Sequence, residues 1–184
     1  MAIPPFSAII LAGGQSSRMG RDKALLCWQG IPLWQHQQNV LRQTGCDDIL
    51  LSHPQFGVTD VKPGFGPLSG LQSLLPQCRH QWVLVIAVDM PLLTTATLHT
   101  LLTAAQQQPA YYRNSALPCV LHKTPELIRY LDHHTHPRGK RSVSALLQFC
   151  EARAIDCPQP DTLININTPA QWQTLISNQP EKSS

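Results

Sequence analysis

Ser7-Ala8-Ile9-Ile10-Leu11-Ala12-Gly13-Gly14-Gln15-Ser16-Ser17-Arg18-Met19-Gly20-Arg21-Asp22-Lys23 reads as a short buried strand that runs directly into a glycine loop carrying Arg18 and Lys23. Glycines at the end of such a strand let backbone N–H groups approach an anion with no side chain in the way. With two cations on the same loop, the arrangement predicts a phosphate-rich ligand, most simply a nucleotide. It is not a Walker loop, because Gly20 is followed by Arg21-Asp22-Lys23 and not by Gly-Lys-Ser/Thr. It is not a dinucleotide fingerprint either, because Gly13 and Gly14 are adjacent.

Composition narrows the class. The 184 residues predict one domain with a substantial core, and 42% hydrophobic with 14% charged residues fits a globular chain. A formal charge of +3 argues for neither nucleic acid nor a membrane surface as partner. The six cysteines form no C-x-x-C pair, and Pro4-Pro5 interrupts the N-terminal apolar stretch, which lacks a basic leader. Free thiols in a reducing cytoplasm are therefore expected. No apolar run approaches the roughly 20 residues that cross a bilayer. His133, His134 and His136 cluster without accompanying ligand spacing, which favours a polar loop over a metal site.

Outward from the loop, short apolar runs alternate with amphipathic stretches, which predicts a Rossmann-like three-layer α/β/α fold with a mostly parallel central sheet. Pro32 opens a helix to about Thr44, with Trp34, Val40 and Leu41 for its buried side. Ile49–Ser52 reads as a second strand, and Leu68, Leu71, Leu74 and Leu75 form the apolar face of the next helix. Trp82–Val88 is a central strand buried on both faces, followed by a helix from Thr95 to about Gln107. Ala110–Arg113 and Leu117–Leu121 are strand candidates, the second either not a strand or an edge strand because of Pro118. Helices are expected near Glu126–Leu131 and Ser142–Phe149. Leu163–Asn167 reads as a strand before a helix whose capping box is Thr168 with Gln171, and the tail past Asn178 is polar.

In an open α/β sheet, ligands gather beyond the carboxyl ends of the strands. Asp89 ends the central strand in Val88-Asp89-Met90-Pro91 and is the candidate ligand for Mg²⁺, with phosphates and waters completing an octahedron. The alternative makes it a turn residue before proline. Lys23 is expected at the α- and β-phosphates, Arg18 at the outer phosphates, and the Leu11-Ala12-Gly13-Gly14 backbone around them. Asn165 and Asn167 share one face of an extended segment. They orient substrate or contribute to the metal shell or, in the case of Asn167, cap the final helix. Gly139-Lys140-Arg141-Ser142 reads as a basic helix entrance on a solvated face.

The fixed positions of L-A-G-G-x-S-x-R-M-G-x-D-K are all present between Leu11 and Lys23, and the chain resembles the molybdenum cofactor guanylyltransferases. These are a branch of the nucleotide-diphospho-sugar transferase-like nucleotidyltransferases. The resemblance runs from about Ala8 to Trp172. It implies GMP transfer from GTP to molybdenum-bound molybdopterin, with Mg²⁺, with Lys23, Arg18 and Asp89 as the catalytic groups, and with molybdenum cofactor biosynthesis proteins and acceptor molybdoenzymes as partners. It brings Asp60, ahead of Gly66-Pro67-Leu68-Ser69-Gly70, into the nucleotide site. L-A-G-G and N-I-N-T-P resemble the guanylyl branch, where the related cytidylyltransferases have L-A-A-G and D-x-D-T-P. In one place the chain departs: Ser52 stands where the branch usually has Asn at the end of the second strand, and only 53–59 leads to Asp60. That departure keeps open a cytidylyl- or sugar-phosphate nucleotidyltransferase, or a non-catalytic nucleotide- or cofactor-binding protein.

Overall fold

The computed structural model describes residues 3–12, 22–60, 66–135 and 142–177. β1 (Phe6–Leu11) is buried along its whole length, as a strand covered on both faces must be. From Asp22 onward, a single 3₁₀ turn at Lys23–Leu25 leads into a small hairpin of β2 (Cys27–Trp28) and β3 (Ile31–Pro32). Gln29 and Gly30 at its tip both have positive φ, 51° and 88°, the geometry of a tight hairpin turn. The hairpin delivers the chain to α1 (Leu33–Gln43), then β4 (Asp48–Ser52) and α2 (Pro67–Leu74). β5 (Trp82–Ala87), α3 (Thr95–Ala104), β6 (Ala110–Tyr112), β7 (Ser115–His122), α4 (Pro125–His134), α5 (Val143–Phe149), β8 (Arg153–Ile155) and α6 (Pro169–Ser177) follow.

The strands form one six-stranded sheet in the order β4-β1-β5-β7-β6-β8, with β7 alone running against the rest. Alternate side chains of the strands supply two separate cores. Ala8, Ile10, Leu84 and Ile86 pack with Leu33, Leu41, Leu98, Leu101 and Trp172, which puts α1, α3 and α6 on one face. Ile9, Leu11, Val83 and Val85 pack with Leu68, Leu71, Leu127, Leu131 and Leu146, which puts α2, α4 and α5 on the other. The expected three-layer, mostly parallel α/β architecture is what forms.

Two expectations are corrected. β7 is interior, between β5 and β6, although it contains Pro118. Its paired stretch with β5 begins only at Cys119, and its register with β6 shifts between Tyr111 and Tyr112, so no ladder donor is required of Pro118. The Leu163–Asn167 stretch is not a strand. Pro160–Leu163 is a 3₁₀ turn, and the extended residues after it dock through one bond, from the Ile166 N–H to the Asp89 carbonyl at 2.9 Å. The alternation read there survives, with Ile166 buried between exposed Asn165 and Asn167. The predicted capping box forms as well: Gln171 N–H donates to Thr168 Oγ1, and Gln171 Oε1 accepts from the N–H of Thr168.

α2 lies so close to the sheet that one position tolerates no side chain. A Cβ on Gly70 would stand 2.8 Å from Ser52 Oγ and 2.9 Å from Leu11 Cδ2. Helix propensity alone favours alanine there by about 1 kcal/mol. Overpacking outweighs it, and Gly70→Ala is expected to destabilise the protein by about 1–3 kcal/mol, read as a lowered urea midpoint with unchanged m-value.

Candidate active site

The chain runs from β1 outward to β4 and returns to β5 on the other side of β1, so the sheet changes direction between β1 and β5. The crevice at such a point, beyond the carboxyl ends, is where α/β sheets hold ligands. Leu11 faces Ser52 on one side and Ala87 on the other, which sets the ends of β4 and β5 about 10 Å apart across β1. Val88 N–H donates to the Leu11 carbonyl, and Ala12 N–H donates to the Ser52 carbonyl. The three strand ends are thus joined through their backbones.

Lys23, Asp89 and Asn167 converge in this crevice from three separate parts of the chain. The Lys23 Nζ lies 2.8 Å from Asp89 Oδ2 and 2.8 Å from Asn167 Oδ1. Lys23 and Asp89 side chains are 19% and 17% exposed, so the pair is open to a ligand yet shielded enough for its charges to matter. Asn167 is engaged at both of its polar ends: its backbone N–H donates to Gln171 Oε1 at the head of α6, and its side-chain oxygen accepts from Lys23 Nζ. Asn165 is exposed and makes no hydrogen bond among the described residues. Asp60 stands at the β4 end, where Ser52 Oγ donates to its Oδ1 at 2.6 Å. Gly13, Gly14, Arg18, His136 and the basic 139–141 entrance lie outside the described residues.

Residues not singled out from the sequence hold this centre in place. The Asp89-Met90-Pro91 turn is gripped by α1: Gln37 Nε2 donates to the Met90 carbonyl at 2.7 Å, and His36 Nε2 lies 3.0 Å from the Pro91 carbonyl. Burial pushes the His36 imidazole below its ordinary value, and the Pro91 contact draws it back in part. The ring is neutral near pH 7 and donates Nε2–H. The sequence did carry a signal, because Gln37 occupies the buried face of α1 with Leu33, Val40 and Leu41. A fully buried amide requires hydrogen-bond partners. On the opposite side, Asp22 Oδ1 caps the Lys23–Leu25 turn by accepting from Ala24 N–H at 3.0 Å, and its Oδ2 is 2.8 Å from His53 Nε2.

The donor set suits a hard divalent cation of limited demand. Asp89 Oδ1 has no hydrogen-bond partner among the described residues, and no group of three His, Cys, Asp or Glu that could hold a metal is found among them. One carboxylate oxygen matches an ion that takes most of its shell from other groups and water. Thiol chemistry is disfavoured at four of the cysteines. Burial pushes Cys46 and Cys150 up to about 11, Cys78 up to about 12 and Cys119 higher still, and all six cysteines are unpaired. His134 is occupied by Tyr130, stacking on its ring at 4.0 Å and bonding its carbonyl through Nδ1 at 2.9 Å.

Comparison with known proteins agrees with this geometry. Residues 8–155 match the MobA-like NTP transferase domain family. The molybdenum cofactor guanylyltransferase of Xanthomonas euvesicatoria is 36% identical over 185 residues, covering 96% of this chain and 97% of that protein. Among solved structures, the molybdopterin-guanine dinucleotide biosynthesis protein A of Archaeoglobus fulgidus superposes with a TM-score of 0.66 at 16% identity, over 94% of this chain and 100% of that one. The 2-C-methyl-D-erythritol 4-phosphate cytidylyltransferase of Thermus thermophilus does so at 0.66 and 17%, over 94% and 98%. With the Lys23–Asp89 pair, the Asp89 turn and near full-length similarity in agreement, this chain belongs to the MobA-like NTP transferase family, in its molybdenum cofactor guanylyltransferase branch.

Proposed function

We propose that this protein, acting as one nucleotidyltransferase domain, transfers GMP from GTP to the terminal phosphate of molybdenum-bound molybdopterin. An oxygen of the pterin phosphate bonds to the α-phosphorus, the bridge from the α- to the β-phosphorus breaks, and pyrophosphate leaves. The acceptor is already an anion at neutral pH, so the reaction requires no protein nucleophile, and positioning with charge neutralisation supplies the acceleration. The observation that carries the reading is the Lys23 ammonium held between Asp89 and Asn167 at the β1–β5 crevice.

In this reading Asp89 Oδ1 holds Mg²⁺, which when bound supplies Lewis-acid polarisation of the phosphate oxygens. Lys23 offsets the charge that develops on the departing pyrophosphate, and Arg18 with the Leu11–Gly14 backbone holds the outer phosphates. Asp60, fixed by Ser52, serves the nucleoside end. Asn167 keeps the ammonium aimed into the crevice, and Asn165 is available to orient the acceptor. Cofactor biosynthesis proteins and molybdoenzymes are the partners that supply the pterin and receive the product. No helix among the described residues is long and apolar enough to cross a membrane, and the unpaired thiols suit the reducing cytoplasm where we place the reaction.

The test is pyrophosphate release from the purified protein with molybdenum-loaded molybdopterin and Mg²⁺, comparing GTP with CTP. Release with GTP and a guanine dinucleotide product is expected. Release with CTP alone overturns the choice of nucleotide, and release with neither overturns the transfer reaction.

A further inference from the structure

The short connection from β4 to Asp60 is built around one side chain. His53 is 2% exposed, and its Nδ1 lies 3.1 Å from the Gln55 N–H nitrogen and 3.3 Å from that of Phe56. A nitrogen that accepts two backbone N–H groups carries no proton, so the ring proton is on Nε2. That Nε2–H is donated to Asp22 Oδ2 at 2.8 Å. The ring is further held by stacking on Phe56 at 4.9 Å, and Phe56 in turn stacks on Trp34 at 5.5 Å. One imidazole therefore closes the 53–58 turn with one edge and grips the residue preceding Lys23 with the other.

We propose that His53 is a positioning residue for nucleotidyl transfer, acting on Lys23 through Asp22; this rests on the function proposed above. Asp22 caps the 3₁₀ turn whose first residue is Lys23, so fixing its carboxylate fixes the origin of the lysine side chain. The lysine must then reach a point between Asp89 and Asn167, and a displacement of about 1 Å in such a group is enough to cost rate. His53 stands next to Ser52 at the β4 end, so the same strand end orients Asp60 through one side chain and Lys23 through the next. The shortened segment thereby serves both sides of the nucleotide site.

The two edges of the ring can be separated by substitution. Asn at 53 places an acceptor where Nδ1 was and cannot reach Asp22, whereas Gln places an N–H donor where Nε2 was and gives up the turn acceptor. H53N is expected to keep a melting temperature near that of the parent while kcat falls about tenfold and KM for GTP rises less than threefold. H53Q is expected to melt lower yet retain at least about a third of the parental kcat. Lys23 is followed independently, without nucleotide, by its rate of acetylation with acetic anhydride, read by peptide mass spectrometry. H53N is expected to raise that rate about threefold or more, and H53Q to leave it unchanged. Parental kcat in H53N with the loss in H53Q would make His53 a turn staple only and overturn the proposal. If the parent transfers neither GMP nor CMP, the function proposed above fails by itself. The acetylation rates then decide: equal rates in parent and H53N overturn the positioning role.

Discussion

Lys23→Ala is expected to lower kcat for pyrophosphate release by about 10²–10³-fold while the protein remains folded. The size follows from what the ammonium faces. It lies 2.8 Å from a carboxylate and 2.8 Å from a neutral oxygen in a crevice where charges are only partly screened. A cation so held needs little reorganisation as negative charge moves onto the leaving group. Folding depends on it less, because the pair is part-exposed and such pairs contribute at most about 1 kcal/mol. Lys23→Arg is not expected to restore activity, since a planar fork cannot occupy the space of a compact ammonium between Asp89 and Asn167. The measurement is steady-state kinetics with a thermal melt on the same preparation. A variant within about threefold of the parental kcat would remove Lys23 from the reaction.

Gly57→Ala is expected to have the largest effect on folding near the site. A Cβ there would stand 2.0 Å from the Leu51 carbonyl oxygen and 2.8 Å from its carbon. That oxygen is not free to move, because it accepts the Val58 N–H at 2.8 Å. Around it, Gly57 N–H donates to the His53 carbonyl and His53 N–H to the Val58 carbonyl, both at 3.1 Å. The turn must open to admit the methyl group, and the resulting loss is about 3 kcal/mol or more. The same opening displaces Asp60 from Ser52, so KM for GTP is expected to rise about tenfold, and His53 from Asp22, so kcat is expected to fall about tenfold as well. Urea unfolding and GTP kinetics read the two effects. Parental values in both would show that the turn is not held as described.

What the sequence disclosed depended on how continuous each signal was. The buried runs Ala8–Leu11 of β1 and Val83–Ile86 of β5 are apolar without interruption, as a strand covered on both faces requires. The β2–β3 hairpin and β8 have two or three residues per strand, too few for any periodicity to register. Pro118 argued for an edge, and the argument failed because the pairing simply begins one residue later. Of the candidate site, Lys23 and Asp89 were legible from motif chemistry although 66 positions separate them. His53 was not. In sequence it stands in a short connection, and only the fold reveals that two backbone amides fix its tautomer and a carboxylate accepts its Nε2–H.

The three oxygen and nitrogen partners at the centre differ in where the chain supplies them. Lys23 and Asp89 fall within residues 8–155, the portion matched by the family as a whole, and Asn167 falls outside it. Its segment is clasped from both ends: by the Ile166 bond to the Asp89 carbonyl, and by Trp172 of α6 resting 6.0 Å from Trp28 of the hairpin. The charged pair therefore lies wholly within the portion matched by the family. The neutral amide is a buckle drawn across that portion by the segment leading into α6, and the fastening of this strap adds a second contact to the salt bridge that seats the ammonium.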